Sequence, residues 1–112
     1  MIKDLIAEFR RRNGRHPAIM TYPKDDQNCL WHCFHMSKIK ECCHAPECFL
    51  QDKSEACAVK SFFRSPEETL RSIIFEQFAN SEKHKEILLF SNNIACAFHW
   101  QDYHIFVTVR GW

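Results

Sequence analysis

Seven cysteines and seven histidines in 112 residues are the chemistry-bearing feature of this chain. The densest information lies in Asp25-Asp26-Gln27-Asn28-Cys29-Leu30-Trp31-His32-Cys33-Phe34. Asp25, Asp26 and Asn28 are cap-type residues, so a helix is expected to start near Cys29. A thiol at a helix start lies beside free backbone N–H groups and the positive end of the dipole, which favours thiolate. The same N–H groups can stabilise an oxyanion. A cysteine nucleophile also needs a base, usually histidine, and a group to orient that base. His104, late in the chain on an expected strand, is the candidate base. The plain alternative for Cys29 is a buried helix-start thiol.

A second chemistry competes for the same residues. Positions 29–57 hold Cys29, His32, Cys33, His35, Cys42, Cys43, His44, Cys48 and Cys57. Zinc takes four N or S ligands in a tetrahedron, and Cys43, Cys48, Cys57 and His44 form the candidate set. No close CxxC pair is present, and the alternative is a thiol-rich irregular segment. A nucleophilic Cys29 could not also be a ligand of a closed site.

The elements that must position these groups follow from periodicity. Ile2, Leu5, Ile6 and Phe9 predict a helix over 2–12, with Arg10, Arg11 and Arg12 in its last turn and Asn13-Gly14 as the stop. Residues 15–28 read as a loop with a short extended piece at 18–22. The second helix carries a Leu30, Cys33, Phe34 stripe, and 41–57 reads as irregular. Ser65-Pro66-Glu67-Glu68 is a capping box with Pro at N1, and Leu70, Ile73, Ile74 and Phe78 form the apolar face of the helix it opens. Glu86–Phe90 is a short apolar run, and Asn92-Asn93 signals a turn.

Ile94–Trp100 and Tyr103–Val109 read as two strands joined at Gln101-Asp102. Alternation puts Ile94, Cys96, Phe98, Trp100, Tyr103, Ile105, Val107 and Val109 on one apolar face. A two-residue loop sets His99 opposite His104, with Cβ atoms about 4.5–5.5 Å apart. Such a pair could hold a metal or act as a base with a neighbour; otherwise it is a solvated sheet face. The fold class is α+β, a single small domain over 1–112, with about three helices followed by a C-terminal antiparallel sheet.

Composition limits the function. Apolar residues at 46% and charged residues at 26% suit a packed globular core. A net charge of +1 argues against nucleic acid as a partner. The charged N-terminus is not expected to act as a signal peptide, and no run approaches the ~18 apolar residues of a membrane span. The expectation is a cytoplasmic, reduced protein with no membrane partner, in which an odd number of cysteines cannot all pair. Six basic residues against two acidic ones in 1–24 could meet phosphate or an acidic protein surface, or simply be a solvated helix end. Phe49, Phe62 and Phe63 would make a protein-binding patch if exposed.

Asp26-Gln27-Asn28-Cys29-Leu30-Trp31 resembles the D-G-N-C-L-aromatic signature of ovarian-tumour-type (OTU) deubiquitinases, and the helix start is similar to that of viral papain-like proteases. Tyr103-His104-Ile105-Phe106-Val107 resembles the late strand that carries their histidine. The resemblance implies a papain-like arrangement and a cysteine peptidase or deubiquitinase-like isopeptidase of viral, phage or effector origin. It makes Cys29 the nucleophile, His104 the general base and Asp26 the group that orients it. N–H groups around Gln27 to Cys29 would form the oxyanion hole, and His99 is a second candidate base. The partner would be a protein substrate or a ubiquitin-like protein, and catalysis would need no cofactor. The competing expectation is a non-enzymatic interaction protein, such as an inhibitor of a host or defence protein, stabilised by structural zinc. Cys29 Sγ within hydrogen-bond reach of His104 or His99 separates the two.

Overall fold

A computed structural model describes residues 1–17, 22–61 and 64–112. Most of the extended piece expected at 18–22, and the Phe62-Phe63 pair, lie outside these described residues. The chain runs α1 (Ile2–Arg12), α2 (Pro23–Ile39), α3 (Glu47–Leu50), β1 (Ser54–Ser61), α4 (Pro66–Ser72) continuing as a turn of π-helix (Ile73–Phe78), α5 (Glu82–Phe90), β2 (Ile94–Gln101) and β3 (His104–Gly111). It is an α+β domain whose three-stranded antiparallel sheet has the order β1-β3-β2.

Two faces of the sheet are covered differently. Ala56, Ala58, Ile94, Cys96, Ile105, Val107 and Val109 pack with α1, α4, the π-turn and α5 into the main core, around Ile6, Leu70, Ile73, Ile74, Phe78 and Leu88. The opposite face carries Glu55, Cys57, Ala97, Phe106, Thr108 and Arg110, and α2 lies on it through Cys33 and Met36. The face read as either a histidine-pair site or a solvated surface is therefore the one that seats α2.

Several local expectations need correction. α2 begins at Pro23, well before Cys29. Proline is preorganised for the first helical position, and Asp25 and Asp26 then fall in the first turn, where the dipole favours them. The segment 41–57 is not all irregular, because it contains α3 and the start of β1. Glu86–Phe90 is the second half of α5 rather than a separate run. In the hairpin, Asp102 and Tyr103 both take positive φ, 53° and 64°, as in a type I′ turn. Gln101 then pairs with His104 and His99 with Phe106. The register is displaced by two residues from expectation, which keeps the alternation of 94–101 and 104–109 but moves Tyr103 from the expected apolar face into the turn, where it is exposed, and breaks the direct His99–His104 pairing. Ser65 is the N-cap as expected: its Oγ accepts the Glu68 N–H at 3.1 Å.

Arg10 has a longer reach than a helix-end charge. Buried at the end of α1, it donates from Nη1 to the carbonyls of Leu88 (2.7 Å), Leu89 and Ser91 and from Nε to that of His16. It thereby satisfies the carbonyls that α5 leaves open at its C-terminus. Arg15 Nε adds a bond to Leu89 O at 2.9 Å. Arg10→Leu should lower unfolding stability in denaturant titrations by about 2–3 kcal/mol, whereas Arg11→Leu on the exposed side should change it by less than about 0.5 kcal/mol.

Candidate functional site

The proposed nucleophile is enclosed. Cys29 is 0% exposed, in the body of α2 against the sheet. Burial, with Cys96, Cys33 and Asp26 nearby, pushes its thiol far above the ordinary value, and Arg110 only partly opposes this. The helix-start activation expected for it is absent because α2 starts at Pro23, so the N–H groups around Cys29 belong to the helix interior.

His104 sits at the opposite end of α2. It is exposed, its Nδ1 donates to Asp102 O at 2.9 Å, and it lines a hollow with Ser37 and Lys40. Cys29 and Ser37 are eight residues apart, about 12 Å along a helix. The structure does not bring Cys29 and His104 together. His99 stacks edge-on against Phe34 and lies 3.3 Å from the Gln101 side chain. Asp26, expected to orient a histidine, instead accepts the Cys96 N–H at 3.1 Å and pairs with Lys3. It thus binds α1, α2 and the edge strand β2 together, which occupies a strand N–H that would otherwise be open. Gln27 is exposed and faces a shallow hollow beside Ile2 and Phe98.

The zinc candidates also separate. Cys48 is exposed on α3, and Cys43 takes part through its backbone, whose carbonyl accepts from His32 Nε2 at 2.7 Å. His44 and Cys57 do converge, and their meeting point is Glu55. Its Oε1 accepts the Ala45 N–H at 2.9 Å and lies 3.0 Å from His44 Nδ1. Its Oε2 accepts Arg110 Nε at 2.9 Å. Burial by itself would raise the Glu55 carboxyl. Hydrogen bonds from Ala45 N–H, Arg110, His44 and the Cys57 thiol outweigh it and hold the carboxyl below its usual value. His32, Glu55 and Cys57, all buried, present ligand atoms within 4.8 Å of one another.

Above this cluster opens a hollow of about 600 Å³. One wall is a stripe of α2 at helical spacing: Lys24, Asp25, Asn28, Trp31, His32 and His35. The other is the segment with Ala45, Pro46, Cys48, Phe49 and Gln51, and Arg110 reaches it from the sheet. Trp31 and Phe49 stand at its rim, 61% and 68% exposed. Glu55 and Arg110 were not among the sequence candidates. The signal that could have found them is the alternation of Glu55 and Cys57, which share a strand face once β1 is recognised.

No protein-family model and no curated protein matches the chain. Among solved structures, the chain is similar to an outer surface protein from Borrelia burgdorferi. The TM-score is 0.69 at 16% sequence identity, over 98% of this chain and 88% of that one. At that identity the likeness is one of fold: the same arrangement of helices about a small antiparallel sheet is built from largely different residues. Among the described residues, no helix is long and apolar enough to cross a membrane.

Proposed function

We propose that this chain is a non-enzymatic binding module whose ligand is a small organic anion with a planar apolar body, held in the hollow between α2 and residues 45–51. The observation that carries this reading is Arg110. The residue is only 5% exposed, yet it borders the hollow. Nε is committed to Glu55, and no other side-chain hydrogen bond of Arg110 is found among the described residues. A guanidinium fixed on one edge offers its remaining N–H groups as a preset fork for a carboxylate.

The walls suit the rest of such a ligand. Trp31 and Phe49 supply aromatic surface, Lys24 supplies positive charge and His35 a polar ring, beside the single carboxylate of Asp25. The size falls within the range of small-molecule sites, roughly 300–1,000 Å³. Peptide hydrolysis by a cysteine nucleophile, which the resemblance around Cys29 suggests, would require a buried sulfur whose thiol is pushed far above its ordinary value to meet a distant histidine.

Titrating the isotopically labelled protein with phenylacetate and with phenylacetamide tests the binding reading. Phenylacetate should shift the Trp31 and Phe49 resonances, with the amide weaker by about tenfold or more. Trp31→Ala, at an exposed position, should weaken phenylacetate binding while leaving the fold intact. Equal responses to both compounds, or shifts confined to other surfaces, would contradict it.

The thiol reading has its own test. With iodoacetamide at neutral pH, exposed Cys42 and Cys48 should react first. Cys33, with its thiol pushed up to about 11, and Cys96, pushed up to about 12, should stay unmodified until the chain unfolds, as should Cys29. Fast labelling of Cys29 that disappears in His104→Ala would restore the hydrolase.

A further inference from the structure

We propose that His32, Glu55 and Cys57 form a binding site for one zinc-like divalent cation at the base of the hollow. The three ligand atoms come from two elements, β1 and the α2 helix, which lies on the same face of the sheet. Glu55 and Cys57 alternate on one face of β1. All three residues are buried, and the imidazole nitrogen, carboxylate oxygen and sulfur lie within 4.8 Å of one another. An imidazole, a thiolate and a carboxylate suit zinc, whereas the sulfur disfavours magnesium and calcium.

The surroundings orient these groups as the outer partners of metal ligands do. The Cys43 carbonyl can only accept, so the 2.7 Å contact places the proton of His32 on Nε2 and leaves the lone pair on Nδ1. Glu55 is held by the Ala45 N–H and Arg110 Nε. Three protein ligands leave one position of a tetrahedron. His32 also lines the hollow, which offers that position a route to water or an anion.

Charge balances without a further partner. In the metal-free protein the Cys57 thiol donates to Glu55. On binding, the sulfur–cation bond forms as the S–H bond breaks, and the proton leaves to solvent. Glu55 and the thiolate then offset two of the three positive charges carried by the cation and Arg110. The remaining one favours an anion in the open position. The cation site itself rests on the cluster alone and stands without the organic-anion reading.

Cobalt(II) titration of the chelator-treated full chain tests it, since cobalt reports both thiolate ligation and tetrahedral geometry by absorption. The expected result is one cobalt per chain with a sulfur-to-cobalt charge-transfer band, displaced by zinc. Cys57→Ser should abolish that band, and His32→Gln, which can still donate to the Cys43 carbonyl, should weaken binding by at least about tenfold. Cys48→Ser should leave both unchanged. Zinc should raise the melting temperature of the native chain by more than that of His32→Gln, whose fold is checked by circular dichroism. Absence of a thiolate band in the native chain would overturn the proposal. So would a band that survives Cys57→Ser but is lost with Cys43→Ser or Cys48→Ser.

Discussion

The buried pair of Glu55 and Arg110 is the constraint on which this architecture turns. The two residues face each other across β1 and β3, and both are almost wholly enclosed. Burying two charges is costly, and removing either partner alone leaves an uncompensated charge worth about 3–5 kcal/mol. The pair persists because Glu55 has further partners. Ala45 and His44 bond the same carboxylate, so one side chain fixes the strand register and also holds the segment that follows α2. Without that attachment, residues 45–51 would have little to set their position against α2, and the hollow would lose a wall.

α2 depends on the same polar sheet face. A helix seated on Glu55, Arg110 and Thr108 cannot be purely apolar on its inner side, and the residues it uses reflect this. Cys33 donates to Thr108 Oγ1 at 3.3 Å and to Ala97 O at 3.5 Å. His32 bonds Cys43 O. The thiols of α2 therefore act as small buried groups with weak donors, consistent with a fold that packs sulfur rather than activating it. Much of the cysteine surplus that looks like one chemical signal is packing. Among the described residues, only Cys57 joins a cluster with ligand geometry.

Strong local signals were legible in the sequence, and long-range ones were not. The Ser65 N-cap, the apolar stripe of α1 and the alternating faces of the last two strands each follow from neighbours a few residues apart. The start of α2 was obscured because Asp25, Asp26 and Asn28 resemble caps, while Pro23 carried the deciding preference. β1 was hidden because its alternation pairs Ala56 and Ala58 with Glu55 and Cys57, so the inner side of the strand looks polar until Arg110 and α2 are placed over it. The candidate site was missed for the same reason: Arg110 lies 55 residues from Glu55, and no local pattern links them. The motif around Cys29 matched a known signature in composition, but its chemistry requires a helix start that Pro23 moves elsewhere.

The central claim is that Glu55 and Arg110 fix the wall of the hollow, and the amide of Ala45 reports it most directly. Hydrogen exchange should show the Ala45 N–H strongly protected in the native chain. In Glu55→Gln that protection should fall sharply while the amides of β2 and β3 stay slow. Exchange of Ala45 at the rate of an unstructured peptide in the native chain would contradict the account.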